Sequence, residues 1–378
     1  MPTTLHALVI GCLPPLATIL HGALGPAGPG TICHDYPDHA VNPETTPAAA
    51  RPARLAVGIV GAGRAGTALG AALARAGHQV VAASAVSDAS LRRARASFPD
   101  AAITEPSQVL RRADLALLTV PDDALPGLVA GLAATGAPLE GRMLAHASGR
   151  YGVSVLEPAV RQGALPLALH PVMTFTSRPD DVDRLRGTSF GVTAPDVLRP
   201  AAEALVIEMG GEPVFIAEEN RELYHAAIAG AANHLITLVA QAMDLLAAAG
   251  VAEPARLLAP LLSASLDNAL RFGDAGLTGP VARGDAATVA AHLAALEAAA
   301  GTPAAGAAAT PASPPAAGTS AAGTSAAAAA GTAGTAGTAS AVAAYVAMAR
   351  LTADRALAAG ILKPSDAERL LDVLGGRR

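Results

Sequence analysis

Residues 55–66 read LAVGIVGAGRAG, an apolar run that ends abruptly in glycines at 61, 63 and 66. LAVGIV is expected to be a buried strand, and the glycines after it have separate uses. Gly61 allows a tight turn, Gly63 leaves bare backbone where a pyrophosphate can approach, and Gly66 lets the next helix pack on the strand. The unpaired N–H groups that open this helix, at Arg64, Ala65 and Gly66, then face the phosphates. The spacing alone is a weak signal, and a glycine-rich turn without a ligand is the bland alternative. Its place at the first strand–helix junction of a longer series makes it strong.

That series runs from 54 to about 216. After LAVGIV comes a helix over 64–76, then HQVVAAS and a helix through SLRRARASF. DLALLTV, GRMLAHAS, PLALH, GTSFGVT and EPVFIA follow, with helices after Asp122, near 155–162 and over 196–209. Short apolar strands alternating with helices of about ten residues predict a mostly parallel, doubly wound α/β sheet. From Glu218 the texture changes. Residues 218–250 read as one long helix ending at Gly250, and helical patterns recur at 254–272, 284–299, 341–359 and 364–375. The expected layout is an N-terminal extension over 1–53, a dinucleotide-binding domain over 54–217 and an all-helical domain over 218–378. Residues 300–340 contain only Ala, Gly, Thr, Ser and Pro, and read as a disordered insertion within the helical domain.

Composition excludes several classes. Net charge is −5 with no basic cluster, which argues against nucleic acid. No apolar run reaches 18 clean residues, so no membrane span is expected. The two cysteines, Cys12 and Cys33, lie in the N-terminal extension, which fits a reducing cytoplasm without a disulfide framework. LVIGC at 8–12 resembles a lipoprotein cleavage box, but no Lys or Arg precedes it and Pro14 and Pro15 break the apolar stretch. Cys33, His34 and His39 are read as part of a featureless tail, and no metal is expected. Lys363 is the single lysine, so lysine-based catalysis has almost nowhere to reside.

The second strand ends VVAASAVSDAS, which places Ser84 and Ser87, not an acid, where an NAD site holds the ribose diol. Arg92 follows, with Arg93, on the next helix. The expected cofactor is therefore NADP, as NADPH. Asp88 weakens that choice unless it is an N-cap, and the two arginines can equally be solvated helix residues.

The strand carboxyl ends carry further candidates. Thr119, Val120 and Pro121 end one strand, with Asp122 read as an N-cap. His146 and Ser148 end the next, with Gly149, and His170 and Thr174 end another. Ligands bind along that edge of an α/β sheet, so at least one of the two histidines is expected to line the site. On the long helix, Arg221, His225, Ala229 and Asn233 step by four and form one ridge. In LTGPVARGD, Arg283 is a candidate for binding a substrate carboxylate, or for pairing with Asp285.

GAGRAG, LLTVPDDAL, HASG, LALHPVMTF, YHAA…AAN and LTGPVARGD, in this order, resemble the actinobacterial Rossmann-like proteins carrying domain of unknown function 2520. The likeness covers about 54–297 and resumes at 341–375. That family is similar to the 6-phosphogluconate dehydrogenase-like reductases, among them pyrroline-5-carboxylate reductase and ketopantoate reductase. The resemblance implies a Rossmann domain, a helical domain of the 6-phosphogluconate dehydrogenase type, and NADPH-dependent reduction of a small 2-oxo acid such as 2-dehydropantoate in pantothenate synthesis, as in PanG-type members. The catalytic lysine of ordinary relatives is absent, and Arg221 and His225 are the nearest substitutes. His225 is the first expected proton donor and His170 the second. Asn233 is expected to orient the carbonyl and Arg283 to hold the carboxylate. An imine reductase of the pyrroline-carboxylate type and a silent NADP sensor are the alternatives. The small-residue helical face points to a homodimer.

Overall fold

The computed structural model describes residues 54–301 and 329–375. Cys12, Cys33 and the rest of 1–53 lie outside them. The chain forms two compact units, Met1–Gly230 and Ala231–Arg378.

The first unit is built on one eight-stranded sheet in the order β3-β2-β1-β4-β5-β6-β7-β8. The strands are β1 (Ala56–Val60), β2 (Gln79–Ser84), β3 (Ala102–Ile103), β4 (Leu115–Leu118), β5 (Met143–His146), β6 (Leu165–Pro171), β7 (Ser189–Thr193) and β8 (Glu212–Phe215). The first six are parallel, as expected of a doubly wound sheet. β7 then pairs antiparallel to β6, and β8 runs with β7.

The strands are apolar on both faces because both faces are covered. In β4, Leu115 and Leu117 join one buried cluster with Ile59, Leu73, Phe190 and Leu205, while Ala116 and Leu118 join the other with Val109, Val129 and Leu156. That is the two-residue period of a strand, read by helices on each side. One side holds α1 (Arg64–Arg75), with α2 (Asp88–Ser97) following β2. The other side holds α3 (Pro106–Arg112), α4 (Leu125–Ala134) and the single turn α5 (Glu157–Val160). α6 (Arg199–Glu208) returns to the first side. Asp122 is not a helix cap: α4 begins at an Ala124 N-cap.

The expected single helix over 218–250 is segmented. A 3-10 turn at Glu218–Asn220 leads into α7 (Arg221–Ala229), a π-helical turn spans Gly230–His234, and α8 (Leu235–Ala248) follows. The unit boundary falls at this π turn, since the side chain of Arg221 is bonded to β6 and β7. Arg221, His225 and Ala229 keep one ridge along α7, while Asn233 falls within the π turn, whose wider winding takes it off that line.

The second unit contains α8, α9 (Pro254–Phe272), the single turn α10 (Gly279–Ala282), α11 (Ala286–Gly301), α12 (Ala329–Ala358) and α13 (Pro364–Gly375). Its buried cluster joins Val289 and Leu293 to Ala349, Ala353, Ala356, Leu370 and Leu374. α12 begins at Ala329, so 329–340 is helical instead of belonging to a disordered insertion. Its glycines and threonines are weak helix formers, so this stretch is a continuation of the helix whose later turns are packed. Residues 302–328 lie outside the described residues. Glu218–Ala248 contains an 18-residue window with a mean hydropathy of 1.3, long and apolar enough to cross a membrane by length and composition alone. Leu235, Ile236 and Leu238 are 44 %, 63 % and 46 % exposed along α8.

Candidate functional site

The glycine turn is held from below. Gly61 has φ +92°, a backbone that side chains disfavour. The N–H groups of Gly61 and Ala62 both donate to the Ser84 carbonyl, at 3.1 and 2.8 Å. Ser84 is 7 % exposed and thus supports the turn from inside. The Thr119 hydroxyl donates to the Gly61 carbonyl at 2.7 Å. Thr119 therefore locks the turn, and Val120 packs beneath it. Gly66 meets Thr119 and the Gly61 carbonyl, which is the close helix–strand contact expected of it.

Gly63 differs. A methyl group built on it would meet only the Gly61 carbonyl, at 3.9 Å. It is the N-cap of α1, and no side chain caps that helix. The N–H groups of Arg64, Ala65 and Gly66 thus open toward unfilled space with the positive end of the helix dipole behind them. This cradle fits a diphosphate.

Beyond β2, Ser87 is the N-cap of α2 in a capping box with Ser90, and Asp88 is the first helical residue. The expected cap role thus belongs to Ser87, because its backbone is extended there. Arg92 is exposed, and the Nε atom of Arg93 is buried without a partner.

The carboxyl ends of β1, β4, β5 and β6 lie on the same edge, so the glycine turn and both histidines share it. The histidines behave differently. His146 is 1 % exposed, its Nε2 lies 2.8 Å from the Gly152 carbonyl, and its Nδ1 accepts from the Ser148 N–H at 3.2 Å. A carbonyl can only accept, so Nε2 carries the proton. Burial is the main reason that its pKa falls to about 4, with Arg221 adding to the fall and the Gly152 bond opposing it. His146 and Ser148 are braces of the loop, with both ring nitrogens of His146 committed.

His170 is the open one. Its Nδ1 lies 2.8 Å from the Tyr224 hydroxyl, and its ring stands edge-on to Tyr224 and to His225, with centroids 5.6 and 6.0 Å away. Gly149 sits directly against His170 Nε2 and the His225 ring, and a side chain there would collide with both. Burial lowers the His170 pKa to about 4, helped by Arg221 and His225 and opposed by Asp122. At neutral pH it is an uncharged donor and acceptor.

Arg221 lies beneath this cluster and is 1 % exposed. Its Nε donates to the Thr193 hydroxyl at 2.7 Å, and Nη2 donates to the carbonyls of Ala168 and Gly191 at 3.2 and 3.0 Å. Nη1 is buried with no partner. Burial lowers its pKa, while Tyr224 and Glu218 act to raise it. Glu218 accepts from the N–H groups of Val153 and Ser154 at 2.7 and 3.0 Å. Burial raises the Glu218 carboxyl, but the bonds to Ser154 and Val153 and the charge of Arg221 outweigh it.

Tyr224, Thr193 and Glu218 were not among the sequence candidates. Tyr224 adjoins His225 in YHAA, and Gly191, across from His170 in the β6–β7 register, leaves room for its hydroxyl. Asn233 and Arg283 lie in the second unit and are both exposed. Asp285 turns to Thr288, bonding its N–H at 3.0 Å, and among the described residues Arg283 has no ion pair.

The Rossmann-like domain family matches residues 41–171, and domain of unknown function 2520 matches residues 188–307. Among curated proteins, a glycerol-3-phosphate dehydrogenase (NAD(P)+) of Bradyrhizobium sp. strain ORS 278 is 32 % identical over 199 residues, 49 % of this chain and 58 % of that protein. The match thus spans little more than half the length of that relative. Among solved structures, a candidate NADP oxidoreductase from Bacteroides fragilis has a TM-score of 0.53 at 22 % identity, covering 64 % of this chain and 91 % of the other. A reductive aminase from Aspergillus terreus, solved with NADPH and ethyl-5-oxohexanoate, has a TM-score of 0.51 at 18 % identity, covering 65 % and 87 %. At these identities the likeness is one of fold. The two family matches follow each other as the glycine turn and the later helices do, and the chain carries a Rossmann-like domain followed by domain of unknown function 2520.

Proposed function

We propose that this chain is an NADPH-dependent reductase of a small carbonyl compound, with a 2-oxo acid such as 2-dehydropantoate as its substrate. The observation that carries this reading is the uncapped start of α1 with open space at Gly63, on the same sheet edge as His170 and His225. Arg64, Ala65 and Gly66 would bind the diphosphate. Ser84 and Ser87 leave the ribose end of β2 without a carboxylate, and Arg92 is near enough in sequence to meet a 2′-phosphate. NADPH, when bound, supplies a hydride to the carbonyl carbon. His170 and His225 supply hydrogen-bond donors to the negative charge that develops on oxygen. The field of Arg221 favours that charge over a cationic iminium, which ranks pyrroline-type imine reduction second. Assays of NADPH oxidation with 2-dehydropantoate and with pyrroline-5-carboxylate separate the two. A silent NADP sensor would bind NADPH and oxidise it with neither.

Gly63→Asp tests the cradle. Gly63 has φ −78° and ψ −162°, which any residue adopts, and Asp is a favourable N-cap. The variant is expected to fold with unchanged or slightly higher melting temperature while NADPH affinity falls at least tenfold, because a carboxylate meets the diphosphate. Unchanged affinity, by fluorescence titration, would remove the phosphate reading. Arg283 is proposed to take the substrate carboxylate. Arg283→Met is expected to raise KM for an oxo acid about tenfold with little change in kcat, as loss of uniform binding does. Equal KM values would refute it. The exposed leucines of α8 are proposed to be covered by a second copy of the chain in a cytoplasmic homodimer, which light scattering would detect.

A further inference from the structure

The arginine beneath the histidine pair makes no ion pair among the described residues. Arg221 is buried, its hydrogen-bond partners are the Thr193 hydroxyl and two carbonyls, all neutral, with Nη1 unpaired, and Glu218 acts on it only through its field. A buried cation without a directly bonded anion is costly to maintain. Its guanidinium lies 5.6 Å from the Tyr224 ring centroid. Tyr224 thus lies beside the arginine and bonds the open histidine, and its phenol can become negative.

We propose that Tyr224 and His170 form a two-proton relay in which His170 presents Nε2–H to the substrate, Tyr224 resupplies Nδ1, and Arg221 balances the tyrosinate. This inference rests on the reductase reading and deepens it. The backbone N–H of Gly191 favours the ionised phenol, as a donor to its oxygen would. The phenol O–H is then directed to His170 Nδ1, 2.8 Å away, which leaves the proton of the neutral ring on Nε2. Nε2 adjoins Gly149 and has no protein partner among the described residues, and the His170 side chain is half-buried.

The proton steps balance. Hydride from the reduced nicotinamide leaves a negative charge on the substrate oxygen. The Nε2–H bond of His170 breaks and its proton goes to that oxygen. The Tyr224 O–H bond breaks and its proton goes to Nδ1. The imidazole is neutral before and after, and the substrate becomes an alcohol; water then protonates Nε2 while the Nδ1 proton returns to the phenolate, which restores the starting tautomer. A neutral imidazole is a poor acid, so the working acid is the phenol, with an ordinary pKa of about 10. Burial raises Tyr224 above that value, against Arg221 and Gly191, so the acid is fully protonated at neutral pH. The other groups bearing on His170 are His225 on α7, Asp122 after β4 and His146 on β5. Among the described residues His225 has no hydrogen-bond partner to resupply it, which moves the proton donor from His225 to His170.

Two measurements on the full chain without cofactor decide the relay. Long-range proton–nitrogen NMR is expected to show His170 neutral at pH 7 with its proton on Nε2, and to show that tautomer preference weakened in Tyr224→Phe. His170→Gln is expected to shift the phenol titration of Tyr224, read by ultraviolet difference against Tyr224→Phe. A proton on Nδ1 in the wild type, or a Tyr224 titration indifferent to His170→Gln, overturns the relay. A kinetic arm uses 2-dehydropantoate. Tyr224→Phe and His170→Gln are each expected to lower kcat about a hundredfold, the double variant no further, with NADPH affinity unchanged and the alkaline limb of the kcat profile lost in Tyr224→Phe. A full alkaline limb in that variant also overturns it. Failure of NADPH to bind, by contrast, is a failure of the cradle at Gly63 and leaves the two cofactor-free measurements to decide the relay.

Discussion

Acidification from pH 6.5 to 4 is expected to remove about 3 kcal/mol of stability through His146 alone, since its pKa falls from 6.5 to about 4 on folding. Above 6.5 neither state binds the proton, and the full stability is present. Below 6.5 the unfolded chain takes up a proton that the folded chain refuses, so stability declines with pH until the folded ring titrates near 4. His170 has the same shift, mainly from burial with Arg221 and His225 adding to it, and contributes a second decline in the same window. Denaturant unfolding at steps across that range gives the slope directly. His146→Gln removes one titrating group and should flatten the slope by about half, whatever it does to stability at neutral pH. An unchanged slope would mean that His146 titrates in the fold as it does unfolded, contrary to its burial and to the Ser148 N–H donated to its Nδ1.

Gly66→Ala is expected to destabilise the first unit by about 3 kcal/mol or more, at the upper end of overpacking costs. The added methyl would lie 2.3 Å from the Thr119 hydroxyl and 2.6 Å from the Gly61 carbonyl. The hydroxyl could rotate away, but only by giving up its bond to that same carbonyl. The carbonyl is backbone in the turn itself and cannot yield without moving Gly61. Helix α1 would be pushed off β1, which also displaces the N–H groups offered to the diphosphate. Lower denaturation midpoint and weakened NADPH binding should therefore appear together, in contrast to Gly63→Asp, where binding alone is lost. Wild-type stability in Gly66→Ala would show that the contact is looser than the geometry states.

These two glycines show what local sequence carries. Turn, close approach and helix start are constraints on a dozen consecutive residues, so the spacing at 61, 63 and 66 was enough to identify them. The strands were legible for a similar reason. Burial on both faces demands unbroken apolar runs, and LALL or LAVGIV admits few other readings. His170 and His225 were legible as chemistry-bearing residues at strand ends and on the following helix, but not as neighbours.

What remained hidden depends on the reversal at β7. Because β7 runs antiparallel to β6, Gly191 comes opposite His170, and only there does the ring of Tyr224 find room. In the sequence, YHAA is simply a helical turn. The same return places the Thr193 hydroxyl and two carbonyls around Arg221 and buries it, while the spacing of four had indicated only a shared ridge. His146 and His170 were equal candidates in the sequence, because both strands end at the right edge. The His146 partners Gly152 and Ser148 are close in sequence, yet only the turn of that loop makes them donors and acceptors for one ring. The amino-acid sequence by itself determined the parallel sheet and the glycine cradle, because backbone geometry and apolar period act over neighbouring residues. Only the tertiary structure decided which histidine is open and which tyrosine serves it, because burial and hydrogen-bond partnership arise between strands that the chain order leaves far apart.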